Sequence, residues 1–125
     1  MNVIKSIWVW LSSIAFILLA FPFAVILWLL SLAFDSRRLM NNRWMVIQGI
    51  VLTKMSPFWK VITEGREKID HKQAYIIVPT HQSMLDIVFF NMLRHRLRWV
   101  SKVEVFRAPL VGWEMRMTKY IEVVR

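Results

Sequence analysis

The stretch AYIIVPTHQSMLD, residues 74–86, decides the fold. Residues 74–78 form a compact apolar run that is stopped by Pro79, which predicts a strand buried on both faces, as in a parallel sheet. Met84 to Arg96 is apolar and long enough for a buried helix. The order of strand and helix favours an α/β architecture with parallel strands.

The segments that follow continue the same alternation. Residues 97–101 predict a second strand, Pro109 and Gly112 bracket a turn or helix start, and residues 120–124 predict a third strand. We therefore expect residues 60–125 to form part of an α/β sheet domain, with every strand parallel.

The N-terminal region has a different composition. Ser6 to Phe34 is a run of 29 residues without a charge, whereas a helix needs only about 20 apolar residues to cross a bilayer. A secretory signal has an apolar region of about 7–15 residues, so a membrane anchor is the better interpretation. Pro22 leaves two geometries open, a single kinked or tilted span and a helical hairpin that dips into one leaflet.

Residues 39–59 complete the predicted anchor region, residues 1–59. Apolar residues are spread over helical turns there, with polar residues between them. Two interpretations stay open, an amphipathic helix at the membrane surface and a helix packed on the soluble domain. Pro57 is expected to end this helix.

The charge distribution bears on location and partners. The net charge is +9, of which +8 lies after Phe34, so the positive-inside rule places the C-terminal part in the cytoplasm. We expect a membrane protein, at a bacterial inner membrane, whose basic surface faces anionic lipid rather than nucleic acid. The absence of cysteine excludes disulfides and thiolate nucleophiles and suits a reducing compartment.

The candidate catalytic residues follow the first predicted strand, where open α/β sheets place their sites. Residues five apart in a helix lie about 140° around its axis, so His81 must sit in the loop and Asp86 in the first turn. Ser83 is a favoured N-cap residue. Asp86 would then fix the tautomer of His81 and leave its other nitrogen as a general base.

A purely structural alternative exists for the same residues. Ser83-x-x-Asp86 also fits a capping box before an apolar run. In that interpretation Asp86 only stabilises the helix start, and His81 is an incidental loop residue.

Two cations follow the later predicted strands, Lys102 after the second and Arg125 after the third. If the strands are parallel, both emerge at the same sheet edge as His81. A base between two fixed cations suits an anionic substrate whose hydroxyl is deprotonated. The alternative is that both are solvated surface charges. His71, His81 and His95 lack metal-ligand spacing, so no metal is expected.

These segments resemble a known family. His81 to Asp86 is similar to the H-x4-D motif of glycerolipid acyltransferases, especially the lysophosphatidic acid (1-acylglycerol-3-phosphate) acyltransferases. Residues 74–79, the lysine segment 99–102, the Pro109–Gly112 turn and residues 120–125 match the surrounding pattern in the same order.

The resemblance implies transfer of a fatty acyl group from acyl-CoA or acyl carrier protein to the sn-2 hydroxyl of lysophosphatidic acid. His81 and Asp86 would be catalytic. Arg125, Lys102 and Ser83 would form the substrate-binding set. No cofactor is implied beyond the acyl donor, and no covalent acyl-enzyme is required.

Departures from the family pattern leave other functions open. Thr80 replaces an asparagine, and Lys119, Glu122 and Val124 replace a glycine, an aromatic residue and an aspartate. The acceptor could therefore be another lysophospholipid or a lyso-aminolipid. Counterparts of the family's third and fourth blocks are missing, so we expect residues 60–125 to be the N-terminal part of the domain. A fragment of this kind would be inactive alone, or a truncated membrane-anchored interaction protein.

Overall fold

The computed structural model describes residues 3–70, 72–80 and 83–124. The chain begins with two long helices, α1 (Val3–Phe34) and α2 (Leu39–Met55). After them come α3 (Met84–Phe90), β1 (Val100–Lys102), α4 (Val103–Phe106), α5 (Val111–Met117) and β2 (Ile121–Val123), with 3₁₀ turns at Arg66–Lys68 and Asn91–Leu93. The described residues are therefore mainly helical, with one small sheet.

Helix α1 contains the whole apolar run. It continues through Pro22 without a break over 32 residues, so the structure favours one helix over a hairpin within this run. At a rise of about 1.5 Å per residue its length is about 48 Å, more than the roughly 30 Å of a bilayer core. Among the described residues it is the one helix long and apolar enough to cross a membrane.

One side of α1 packs against the rest of the chain. Among the described residues, three aromatic pairs contribute to this contact, with ring centroids 4.5–5.9 Å apart: Trp8–Phe58, Phe21–Trp113 and Phe23–Trp44. Trp8 meets a residue beyond the end of α2, whereas Phe23 meets one in its first half, so the two helices are antiparallel. The other side of α1 leaves large apolar side chains exposed, including Leu19 and Phe34.

Helix α2 joins α1 to the remaining elements through a polar face. Its buried residues include Asn42 and Gln48. The Asn42 side-chain amide donates to the Leu97 carbonyl oxygen at 2.8 Å, and the Gln48 amide donates to Glu114 Oε1 at 3.2 Å. Buried polar groups need such partners, which supports a helix packed on the domain rather than one lying on a membrane. The helix ends at Met55, before Pro57, as predicted.

Glu114 is a buried carboxyl at this contact, only 4% exposed. Burial raises the pKa of Glu114 above its usual range, and the hydrogen bond from Gln48 lowers it in part. Burial, followed by the repulsion of the Glu114 carboxylate, also raises the pKa of Tyr120, so its hydroxyl stays neutral.

The raised pKa of Glu114 makes stability depend on pH. The folded state holds the Glu114 proton more tightly than the unfolded state, so the stabilisation is complete at acid pH and is lost as pH rises above about 4.5. We expect Glu114→Gln to give the same melting temperature as the wild type at acid pH and a higher one at pH 8. Thermal unfolding in neutral detergent measures this, and parallel pH profiles for the two proteins would contradict it.

Helix α3 is shorter than predicted, because it ends at Phe90 rather than Arg96. The Asn91 side-chain amide donates to the carbonyl oxygens of Ile87 and Val88 at 3.1 and 3.2 Å. Such side-chain bonds compete with the helical pattern. Asn91 is also buried against Gly49 of α2, where an added Cβ would collide with its side chain.

Strands β1 and β2 form a parallel pair, with Val100 opposite Ile121 and Lys102 opposite Val123. The predicted parallel arrangement is confirmed for these two strands, and their bounds differ by one to three residues. A small core next to these elements is built from Phe106, Met115 and Tyr120, with Trp99 packed against it just before β1.

The predicted buried strand at residues 74–78 is wrong. This segment has no regular secondary structure, and Ile76 and Val78 are 96% and 88% exposed. A strand needs a neighbour to pair its backbone groups, and within the described residues the sheet contains only β1 and β2. An open cleft of about 1830 Å3 borders residues 74–78 and, among its other walls, β1.

Candidate active site

The start of α3 is fixed by a capping box. Ser83 has extended backbone angles, and its Oγ accepts a hydrogen bond from the Leu85 backbone amide at 3.2 Å. Asp86 Oδ2 in turn accepts from the Ser83 backbone amide at 2.8 Å. The predicted N-cap role of Ser83 and the predicted position of Asp86 in the first turn are both confirmed.

The capping box and a catalytic role for Asp86 are compatible. A carboxylate has two oxygens with about four acceptor positions, and the capping bond is made by Oδ2. The bond fixes the orientation of the half-buried carboxyl at the helix N-terminus. His81 lies outside the described residues, so its contact with Asp86 stays a prediction.

Asp86 faces a hollow of about 490 Å3. Residues 61–64 form one wall, and Phe89, Phe90 and Leu93 form another. Thr80, the last described residue before the histidine, also lines this space. The hollow therefore adjoins the predicted catalytic loop, with aromatic side chains on the side of α3.

Lys102 is the last residue of β1 and is exposed. The parallel register sets it opposite Val123, the last residue of β2. Arg125 follows two residues later and lies outside the described residues. Lys102 thus lies at the C-terminal edge of the sheet, as predicted. The end of β2, from which the chain continues to Arg125, lies beside it.

The large cleft has a distinctive chemistry. Its apolar lining comes mainly from α2, from residues 74–79 and from residues 97–100. Its described charged lining residues are all basic, namely Arg43, Arg94, Arg96, Arg98 and Lys102. Apolar walls with cations suit an anionic amphiphile. Of these five cations, the sequence analysis assigned a binding role only to Lys102. The arginines at alternate positions 94, 96 and 98 could have indicated a basic surface.

The family comparison matches this region. The family model described as Acyltransferase matches residues 60–125, slightly more than half of the chain. The chain belongs to the Acyltransferase family. The resemblance found in the motif and in its flanking segments is thereby confirmed at the level of the family.

Three curated relatives are similar to this acyltransferase chain. A 1-acyl-sn-glycerol-3-phosphate acyltransferase of Chlamydomonas reinhardtii is 34% identical over 77% of the chain and 29% of that protein. Chloroplastic enzymes of the same name from Arabidopsis thaliana and Brassica napus are 33% and 31% identical over 55% of the chain and 20% of each protein. The chain therefore spans under a third of the length of these relatives. No solved structure matches it.

Proposed function

We propose that the protein transfers an acyl group to the free sn-2 hydroxyl of lysophosphatidic acid and so makes phosphatidic acid. The family match over residues 60–125 carries this proposal, together with relatives that are named 1-acyl-sn-glycerol-3-phosphate acyltransferases. The capping box is compatible with it, because it keeps the Asp86 carboxylate in the first turn of α3, directly after the predicted catalytic loop.

In the proposed mechanism His81 accepts the proton of the acceptor hydroxyl as the oxygen attacks the thioester carbonyl carbon. The carbon–sulfur bond then breaks, and the thiol leaves with the proton from His81. Asp86 orients the imidazole and stabilises its charged form. The sulfur belongs to the donor, acyl-CoA or acyl carrier protein, and no cofactor is needed.

The proposed acceptor site uses the cations at the C-terminal edge of the sheet. Lys102 is exposed there, beside the end of β2. Arg125 and Lys102 would bind the acceptor phosphate, since charge-assisted bonds to phosphate are strong and arginine can make two at once. Ser83 would complete this set at the start of α3.

We also propose that residues 1–59 anchor the protein and that residues 60–125 belong to the catalytic domain. The exposed apolar side of α1 supports insertion into lipid. Its other side packs on α2 and α5, so α1 would stay attached to the catalytic part. A bacterial inner membrane, with the catalytic part on the cytoplasmic face, remains the predicted location.

The substrate assignment is tested with the complete gene product, purified in neutral detergent. We expect lysophosphatidic acid to be converted to phosphatidic acid with acyl-CoA or acyl carrier protein as donor, measured by mass spectrometry of the product. Lysophosphatidylcholine and a lyso-aminolipid are the matched acceptors. A faster reaction with either would replace the proposed acceptor, and no transfer to any acceptor would favour the membrane-anchored interaction protein.

A further inference from the structure

Four cations meet at the turn between α1 and α2. We call Arg37, Arg38, Arg98 and Lys119 the basic collar. Arg98 Nη2 donates to the Arg37 carbonyl oxygen at 2.7 Å, and Lys119 Nζ donates to the Ser36 carbonyl oxygen at 2.9 Å. Residues that are 61 and 83 positions apart in the sequence are thus brought to the end of the apolar helix.

The charge of the basic collar is left largely uncompensated. The acceptors of Arg98 and Lys119 are neutral carbonyl oxygens, and Arg38 Nη1 donates to the Ser31 hydroxyl at 2.6 Å. Asp35 is the nearby carboxylate, and its Oδ2 accepts from the Met40 backbone amide. Within residues 3–70, 72–80 and 83–124, no collar cation forms an ion pair.

Lys119 occupies a position that disfavours any side chain. Its φ of 57° lies in the left-handed region, where glycine carries no steric cost. Strained residues of this kind are a reason to look for a function of the side chain. The ammonium of Lys119 is exposed and adds charge to the collar.

The collar lies at the opposite edge of the sheet from Lys102. Arg98 precedes β1 by two residues, and Lys119 precedes β2 by two residues, so both stand at the N-terminal ends of the parallel strands. Arg98 and Lys102 are four positions apart, which separates the collar from the acceptor edge by about 13 Å. A surface bound at the collar would therefore lie close to the proposed acceptor site.

We propose that the basic collar binds the phosphates of anionic phospholipids at the membrane surface. The inference rests on the proposed insertion of α1. The charge of the collar is complementary to such a surface, and its place at the end of an apolar helix is the depth at which headgroups lie. Binding there would hold the proposed acceptor edge near the headgroup layer.

The test uses the purified protein in neutral detergent micelles. Brominated phosphatidylglycerol and brominated phosphatidylcholine are compared as quenchers of tryptophan fluorescence, with Trp28 beneath Arg38 as a nearby reporter. We expect the wild type to prefer the anionic lipid. Arg98→Gln and Lys119→Gly should each lower this preference by about fivefold. Lys68→Gln, an exposed cation outside the collar, should leave it unchanged.

Stability separates lipid binding from a structural role of Lys119. Lys119→Gly should melt at or above the wild-type temperature, because glycine relieves the left-handed backbone. A lower melting temperature with an unchanged lipid preference would overturn the proposal, as would equal losses in all three variants or displacement of the lipid by inorganic phosphate. Acyl transfer is assayed in parallel. A preference for the anionic lipid without acyl transfer would support lipid binding at the collar and would contradict the proposed function.

Discussion

Asp86→Asn is expected to lower kcat for acyl transfer by about 10²- to 10⁴-fold, the usual contribution of a positioned acid–base system. The amide keeps an oxygen for the capping bond to the Ser83 backbone. It cannot stabilise a charged His81, so the loss should appear in kcat rather than in KM. His81→Ala should lower kcat at least as much.

Thermal unfolding and a charge-matched variant complete that experiment. Asp70→Asn also removes a carboxylate that accepts a backbone hydrogen bond, here from Lys72 at 2.9 Å, and should leave kcat unchanged. Asp86→Asn should reduce stability by no more than about 1 kcal/mol. If Asp86→Asn reduced stability but left kcat near the wild-type value, Asp86 would serve only as a cap.

Gly112→Ala is expected to destabilise the protein by about 1–3 kcal/mol, as overpacking of a tight contact does. An added Cβ would lie 2.6 Å from the Phe106 carbonyl carbon and would also collide with its oxygen. Both are backbone atoms, which cannot rotate away as a flexible side chain can. Phe106 is 1% exposed in the small core, so the shift would disturb the packing of α4 against α5.

Val111→Ala is the matched control for this substitution. Val111 is the first residue of α5 and is 39% exposed, so its truncation should change stability by less than about 0.5 kcal/mol. Both melting temperatures are measured in the same detergent. Because alanine favours a helix over glycine by about 1 kcal/mol, a more stable Gly112→Ala would show that α4 and α5 separate without cost.

The helix start at Ser83 was readable because capping is local chemistry. The Ser83 hydroxyl accepts a hydrogen bond from the Leu85 backbone amide, and the Asp86 carboxylate accepts one from the Ser83 backbone amide. Both bonds lie within one turn of the chain. The parallel relation of β1 and β2 was readable from the order of elements, and the apolar length of α1 was readable from composition. These features depend on neighbours in sequence or on connection rules.

Residues 74–78 show where such reasoning fails. The apolar pattern predicted a buried strand, yet pairing needs a neighbouring strand that a local pattern cannot supply. The early end of α3 was missed for a similar reason, because burial of Asn91 against Gly49 involves a residue more than forty positions away. Neither strand pairing nor the contact of Asn91 with Gly49 produces a periodic pattern in the sequence.

By itself the sequence determined the family motif, the apolar run of α1 and the cap of α3, since each is written in adjacent residues. Only the tertiary structure showed that α1 lies against α2 and α5 and that Arg98 and Lys119 reach the turn after α1. Those contacts join residues that are distant in sequence. They depend on how helices pack and on which carbonyl oxygens remain at a helix end, which no local pattern records.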